Sequence, residues 1–336
     1  MNHFIQPPVL TNSSNELRKV GFELEYSGIE LQKSADLIVE IVGPAKIEQI
    51  NPYHYKIKDT PYGDFNLVLD FQFLISQGLQ KWLHNVGLDQ IIETEIALAL
   101  EEFVATLSQT IVPYEISTPP LPLDTLELIE NLKEHFRVHG AMGTAANPFY
   151  AFGFHINPQV YSLEVEEIID TLRAFFILYD YLLLWLQPDI LRRISPYIKP
   201  FENKYIEKIL DASYTPDMNT FIKDYLIYNP TRNRALDLLP LLAWINPNQV
   251  YSALPQEKIS ARPTYHYRLP NSKVDEKQWH TYHAWNSWVM VEKLAHNKET
   301  LKKLSKEYTQ YLAEPLAFLE KDAWIQRVKQ WLEKQM

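Results

Sequence analysis

The stretch that decides the fold is KVGFELEYSGIEL, residues 19–31. Its first eight residues alternate between polar and apolar positions, the pattern of a half-buried β-strand. On such a strand Glu23 and Glu25 point to one face, whereas Phe22, Leu24 and Tyr26 point to the other. Two glutamates alone favour a half-exposed strand whose acidic face is simply solvated. The side chains that other strands bring to this face therefore decide between a site and an ordinary surface.

A third carboxylate occurs in the apolar strand-like stretch PYEISTPP, where Glu115 is the acidic residue. If Glu23, Glu25 and Glu115 point into one space, their charges repel one another unless a cation lies between them. Hard divalent cations take oxygen ligands, and magnesium accompanies the phosphates of ATP. The three glutamates are therefore candidate metal ligands.

The stretch FGFHINP places His155 and Asn157 on one face of another predicted strand. Gly153, just before them, allows a neighbouring group to approach the backbone closely. A histidine satisfied by a partner in the core is the alternative. The His and Asn together favour a ligand or metal site, and both are candidates for binding a cofactor.

Basic residues occur in ISARPTYHYRLPN, which contains Arg262, His266 and Arg268. Burying an arginine in a strand is costly without an anion, and guanidinium matches two phosphate oxygens at once. These residues therefore predict a phosphate clamp, with an ion pair to one of the acids as the alternative. A second basic cluster, NPTRNRALDLLP, adds Arg232 and Arg234. Arg234 is a candidate for cofactor binding, although a solvated face explains that cluster equally well.

The standard glycine-rich nucleotide signatures are absent from the sequence. It contains neither a Walker loop nor GxGxxG, and glycine occurs only 9 times. ATP, if bound, must be held by metal ions, arginine side chains and strand surfaces.

Bulk composition excludes several other classes. The net charge of −10 argues against general nucleic-acid binding, and the absence of cysteine excludes disulfides and thiolate metal sites. The N-terminal residues lack the pattern of a signal peptide. The most apolar run, FFILYDYLLLWLQ (Phe175 to Gln187), is too short to span a bilayer and predicts a buried helix. We therefore expect no membrane partner and a cytoplasmic location.

The pattern along the chain predicts an α+β protein with short antiparallel strands. Residues 1–18 are expected to be a flexible lead-in, residues 19–336 a single domain, and residues 276–336 its helical tail. The predicted helices are 33–42, 89–110, one capped by Asp124 that runs to Val138, several between 162 and 244, and those of the tail. The predicted strands are 19–27, a hairpin of 54–59 and 65–70 joined by TPYG, 112–117, 149–157 ended by Pro158, and 263–270.

Taken in order, the motifs GFELEY, VLD, YEISTPPL, FGFHIN and RPTYHYRLPN…W…AWNSWVMVE resemble those of the amidoligase family. That family belongs to the carboxylate–amine ligase superfamily, with glutamine synthetase and glutamate–cysteine ligase. The resemblance covers residues from about 20 to about 295. Each motif is short, so their order carries most of the specificity.

The resemblance implies a glutamine synthetase-like fold, in which an antiparallel sheet forms the active-site floor with helices packed behind it. It also implies ATP- and Mg²⁺-dependent formation of an amide bond. By position in the motifs, Glu23, Glu25 and Glu115 would hold magnesium, with His266 as a further metal ligand.

The same resemblance implies roles for the remaining candidates. His155 would lie beside the metal or the nucleotide phosphates, and Arg268 would contact the transferred phosphoryl group. Arg262 is a second candidate for that task.

Two departures from the family pattern bear on activity. The last strand usually reads ExR, but here it reads YHYR, so His266 stands where a glutamate is expected. A neutral imidazole can bind a metal but adds no negative charge. Asp70 is retained in LVLDFQF without the small residues that usually follow it, so it can be structural. A non-catalytic binding protein on a degenerate ligase fold is therefore an alternative.

The ligase mechanism implied is phosphorylation of a carboxylate by ATP, followed by attack of an amine on the acyl phosphate. No residue is assigned as the general base. The rival enzyme class is a glycoside hydrolase with Glu23 and Glu115 as its carboxylate pair, which would give Arg268 no role. The expected substrates are a small-molecule or peptide carboxylate and an amine. A second copy of the chain, an amidotransferase and a peptidase are candidate protein partners.

Overall fold

Strand β1, Lys19–Tyr26, lies inside a sheet rather than at its edge. A computed structural model describes residues 3–69, 113–146, 151–189, 192–193, 198–314 and 321–334. In it β1 pairs antiparallel with β5 (Tyr114–Ser117) on one side and with β7 (Phe154–Pro158) on the other. The apolar face of β1 is fully covered, because Phe22, Leu24 and Tyr26 are at most 1% exposed. The predicted division of β1 into two faces is confirmed.

Antiparallel pairing extends this trio into a sheet of nine strands within the described residues. The remaining strands are β2 (Lys46–Asn51), β3 (His54–Lys58), β4 (Phe65–Leu69), β6 (Leu121–Pro122), β8 (Leu236–Asp237) and β9 (His266–Tyr267). Their order across the sheet is β2-β3-β4-β5-β1-β7-β9-β8, with β6 paired to the start of β1. The antiparallel sheet that the sequence predicts is confirmed, and it is open. The glutamine synthetase-like fold remains a prediction.

Helices pack against the apolar face of this sheet and against one another. The helices of the described residues are α1 (Leu31–Val42), α2 (Glu127–Val138), α3 (Val165–Leu186), α4 (Asn203–Leu210), α5 (Met218–Tyr228), α6 (Leu239–Ile245), α7 (Pro247–Ala253), α8 (Thr281–His296), α9 (Lys298–Ala313) and α10 (Lys321–Glu333). Ring contacts join the sheet to α2 and α8. The ring centroids of Tyr26 and Phe136 are 5.1 Å apart, and those of Tyr267 and Trp288 are 5.6 Å apart. The opposite face of the sheet is the one that carries the polar side chains.

Several local predictions are confirmed. The hairpin forms, with β3 and β4 paired antiparallel. The apolar run from Phe175 to Gln187 forms the second half of α3 and its C-cap, and its Asp180 pairs with Lys321 at 2.6 Å. Its first residues are buried as predicted, whereas Leu184 is 53% exposed. None of the helices in the described ranges is long and apolar enough to cross a membrane. The predicted helix 89–110 and Asp70 lie outside the described residues.

Two predicted boundaries are wrong. Asp124 does not cap α2, which begins at Glu127 after Leu126, without a side-chain cap. The chain at this point still forms a turn, in which the Thr125 N–H donates to the Pro122 carbonyl. The strand predicted over 149–157 begins at Phe154 instead, and it ends at Pro158 as expected.

Several short elements give too little signal in the sequence. Strand β2 has six residues but was not predicted, and none of its residues is buried. Strands β6 and β8 were not predicted either, and the last strand is two residues long instead of eight. A two-residue strand is shorter than the period-two pattern needed to recognise it. It is defined by its neighbours in the sheet.

Residues 3–18 contain neither a helix nor a strand, yet they are hydrogen-bonded to the body of the protein. The Ile5 N–H donates to the Asn286 side chain at 3.0 Å, and the Trp285 ring N–H donates to the Ile5 carbonyl at 2.8 Å. The division into a flexible lead-in and a single domain with a helical tail remains a prediction.

Candidate active site

The strand register brings the predicted residues to one face of the sheet. Glu25 of β1 lies opposite Glu115 of β5, and Glu23 lies opposite His155 of β7. Directly opposed residues share a face, and so do residues two apart on one strand. By the same register, the polar face carries Glu23, Glu25, Glu115, Ser117, His155, Asn157, Asp237 and His266.

Glu23 is the centre of this face. Its Oε1 accepts hydrogen bonds from Asn157 Nδ2 at 2.9 Å and from Arg262 Nη2 at 3.3 Å. Its Oε2 lies 3.0 Å from His155 Nδ1 and 3.4 Å from His266 Nε2. Four of the predicted site residues therefore converge on one carboxylate.

Glu25 is held by the backbone beside His155. Its own N–H donates to the Gly153 carbonyl at 3.0 Å, and Glu25 Oε2 accepts from the Gly153 N–H at 2.7 Å. His155 Nε2 lies 3.6 Å from Glu25 Oε1. A Cβ at position 153 would lie 2.4 Å from His155 Nε2 and 3.0 Å from Arg192 Nη2. The close approach predicted at this glycine is therefore present.

Both histidines of the site are neutral near pH 7. Burial lowers the pKa of His155 to about 4, although its hydrogen bond to Glu23 opposes the shift. Burial likewise lowers the pKa of His266 to about 3, against the attraction of Glu23. Burial disfavours the charge on Glu23 as well, but contacts with His266 and His155 outweigh it and hold its pKa well below the usual range. An ionised carboxylate beside two neutral imidazoles offers lone pairs to a cation.

Unsatisfied buried atoms support a cation at this face. Glu23, His155 and His266 each offer a ligand atom, and these atoms all lie within 4.8 Å of one another. Within the described part of the chain, the Oδ2 of Asp237 and both ring nitrogens of His266 are buried and form no hydrogen bond, although His266 Nε2 lies 3.4 Å from Glu23 Oε2. A buried polar atom without a partner is costly, and a bound cation would supply one. The residues present therefore fit a divalent ion.

This cluster differs in part from the predicted set of three glutamates. Glu115 lies on the same face but is half-buried beside Ser117, whose hydroxyl donates to it at 2.7 Å. The geometry favours the histidines on β7 and β9 as partners of Glu23. Imidazole suits zinc, iron, nickel or copper, whereas carboxylates suit magnesium or manganese.

Arginine side chains border the cluster. Arg262 bridges Glu23 and Asn157, donating to Asn157 Oδ1 at 2.8 Å. Arg268 Nη1 donates to the Arg232 carbonyl at 3.0 Å, and its positive charge helps to lower the pKa of both His155 and His266. The face thus combines acidic, imidazole and guanidinium groups.

Comparison with family models identifies the family of the chain. A model described as "putative amidoligase enzyme" matches residues 16–290, which is most of the chain. The chain belongs to this amidoligase family. No curated protein and no solved structure matches it. Membership supports amide-bond ligase activity.

One predicted residue of this amidoligase lies in a different environment. Arg234 donates to the carbonyls of Pro200 and Tyr228, the latter at 3.0 Å. Its guanidinium also lies over the Phe201 ring, 5.4 Å from the centroid. These contacts join the loop at Pro200 and Phe201 to the end of α5. A role for Arg234 in cofactor binding remains a prediction.

Two residues of the candidate site of this amidoligase were missed from the sequence. Asp237 lies opposite His266 on β8, with Oδ2 3.8 Å from His266 Nδ1, and burial raises its pKa to about 6. In the sequence, Asp237 is a single acidic residue within the apolar run ALDLL. Arg192 is 1% exposed and donates to the Arg268 carbonyl at 2.6 Å. It lies in a segment whose pattern is helical, and nothing there marks it.

Proposed function

We propose that the protein is an ATP- and Mg²⁺-dependent carboxylate–amine ligase that acts through an acyl phosphate. Family membership supports amide-bond formation. The observation that carries the finer proposal is the cluster around Glu23, in which acids and neutral imidazoles lie beside Arg262 and Arg268 on one sheet face.

The chemistry explains why both kinds of charge are needed. A carboxylate is a poor electrophile, and its phosphorylation requires two anions to meet, the substrate carboxylate and the triphosphate. Guanidinium groups neutralise this charge and orient oxygen pairs. Arg262 is already oriented by Glu23 and Asn157, so its guanidinium is positioned before a substrate arrives.

The carboxylates of the same face would bind the metal ion. Glu23, Glu25, Glu115 and His266 would hold magnesium, which when bound neutralises charge on phosphate oxygens. His155 and Asn157 lie beside Glu23 and would contact the phosphates. Arg268 lies at the edge of the cluster, where it would stabilise the phosphoryl group during transfer.

A product analysis tests this proposal. The protein would be incubated with MgATP, ¹⁸O-labelled carboxylates of several classes, and either amines or hydroxylamine as a general acceptor. We expect ADP and inorganic phosphate, with one ¹⁸O atom moved from the carboxylate to the phosphate. Arg268→Lys should abolish turnover, because a point charge does not replace a planar fork. Arg327→Lys is the matched control, since Arg327 pairs with Glu307 on the helical tail.

Three results would contradict the proposal. Release of AMP and pyrophosphate would indicate an adenylate instead of an acyl phosphate. Turnover that Arg268→Lys leaves unchanged would remove Arg268 from the site. Hydrolysis of a glycoside without ATP or metal would favour the paired-carboxylate hydrolase.

A further inference from the structure

A second cluster of metal-binding side chains lies between helices α1 and α2, away from the residues around Glu23. His135 and His139 stand one turn apart at the end of α2, and Glu40 projects from α1. Each offers one ligand atom, and the three atoms all lie within 4.8 Å of one another. We propose that Glu40, His135 and His139 form a site for a divalent transition metal of the zinc type.

The tautomer of His139 is the one that metal binding requires. Its Nδ1 lies 2.8 Å from the backbone carbonyl oxygen of His135. A carbonyl only accepts, so Nδ1 carries the hydrogen and Nε2 keeps its lone pair. Metal-binding histidines are commonly oriented by such a bond from the second ring nitrogen. The ring of His139 is thus held in place with the lone pair of Nε2 available to a metal ion.

The other two ligands already face each other. His135 Nε2 lies 2.8 Å from Glu40 Oε2, and this hydrogen bond holds the pKa of Glu40 below its usual range. A metal ion would replace the proton that the pair shares. Both side chains reach solvent, Glu40 being 49% exposed and His135 21% exposed. They can therefore adjust to zinc–ligand distances of about 2.0–2.2 Å.

Local charge favours a cation at this position. The ligands lie at the C-terminal end of α2, where the helix dipole places partial negative charge. The nearby Arg137 is paired with Glu134 through two hydrogen bonds of 2.7 and 2.8 Å. Lys33 is a weak competitor, with its Nζ 3.8 Å from Glu40 Oε1 and its side chain 52% exposed.

The donor set and the neighbouring cleft indicate how the site would be used. Two imidazoles with one carboxylate suit zinc, and three protein ligands leave a fourth position open. Glu40 and His135 line a cleft of about 570 Å³ that also contains Tyr62 and Asn131. The open position can accept water or an anionic oxygen of a molecule in that cleft.

The test is a Zn²⁺ titration of the chelator-stripped full-length protein against a chromophoric competitor. His155→Ala serves as the background, because it removes a ligand of the other candidate metal cluster. We expect one site in this background, and at least about 10-fold weaker binding after His139→Ala or Glu40→Gln. His296→Ala, which removes an exposed histidine at the end of α8, should leave the affinity unchanged.

Cobalt(II) absorption gives a second measurement that does not depend on folding yield. Replacement of Zn²⁺ by Co²⁺ should give the intense visible bands of a four-coordinate ion, which His139→Ala removes. Equal Zn²⁺ affinity in the His155→Ala background with and without His139 would overturn the proposal. Loss of all Zn²⁺ binding in the His155→Ala variant would also overturn it, because that result would assign the metal to the cluster around Glu23.

Discussion

Gly153 shows how one residue sets the geometry of the site. It exchanges two hydrogen bonds with Glu25, and the space where a Cβ would stand is occupied by the ring of His155. The ring therefore packs against the backbone itself, and its Nδ1 reaches Glu23 from that position. A side chain here would displace the imidazole.

We predict that Gly153→Ala moves the His155 ring and breaks its contact with Glu23. The added methyl would lie 2.4 Å from His155 Nε2, so the free energy of unfolding should fall by about 1–3 kcal/mol. Urea denaturation gives the stability, and the NMR signals of the His155 ring report its position. Gly21→Ala is the matched control, because its Cβ would lie 3.6 Å from the nearest atom, Asn157 Cβ. Equal effects of the two substitutions would show that the close approach at position 153 is unimportant.

Residue alternation was sufficient to find part of the site. Glu23, His155 and Asn157 follow period two on strands long enough to show it, and the structure brings all three together. Asp237 was missed because its strand has two residues. Its position follows from pairing with β9, a contact between distant parts of the chain.

At the scale of elements, β1 is anchored at its start to a helix far along the chain. Arg18, just before β1, makes two hydrogen bonds with Glu292 of α8, at 2.5 and 2.8 Å. Both side chains are 1% exposed. Arg18 also donates to the carbonyls of Val9 and Gln159, so it joins the lead-in, β1 and the end of β7.

We predict that Arg18→Met destabilises the protein by about 3–5 kcal/mol, because it leaves the Glu292 carboxylate buried without its counter-ion. The double variant Arg18→Met/Glu292→Met should recover much of the lost free energy of unfolding, since two apolar side chains leave no unpaired charge. Urea denaturation of the two single variants and the double variant measures the coupling. Additive effects would show that the two residues act independently.

The presence of most strands and helices was predicted better than the positions of their ends, for a physical reason. Strands β1, β3, β4 and β5 combine alternation with turn signals, which are local properties of the chain. Helix α2 was placed by its apolar stripe, but its start was misplaced because Asp124 lies in the turn that follows β6. Ends of elements depend on what packs against them, so local sequence fixes them poorly.

At the scale of the whole molecule, the two faces of one sheet carry different kinds of side chain. Its apolar face packs against helices, and its polar face collects acids, imidazoles and guanidinium groups from β1, β5, β7, β8 and β9. These strands are far apart in sequence, with Glu23 and His266 at opposite ends of the set. The order of the short motifs was therefore the best guide to the site, because it is a property of the whole chain.

The most direct test of this account is Mg²⁺-dependent ATP binding, measured by isothermal titration calorimetry. We predict that the protein binds ATP when Mg²⁺ is present, and that Glu25→Gln weakens binding at least about 10-fold, a loss of about 1.4 kcal/mol. Glu314→Gln, at an exposed position after α9, is the control and should bind as tightly as the unaltered protein. Absence of ATP binding at millimolar MgATP, or equal affinity in all three proteins, would contradict the claim that this sheet face is a ligase active site.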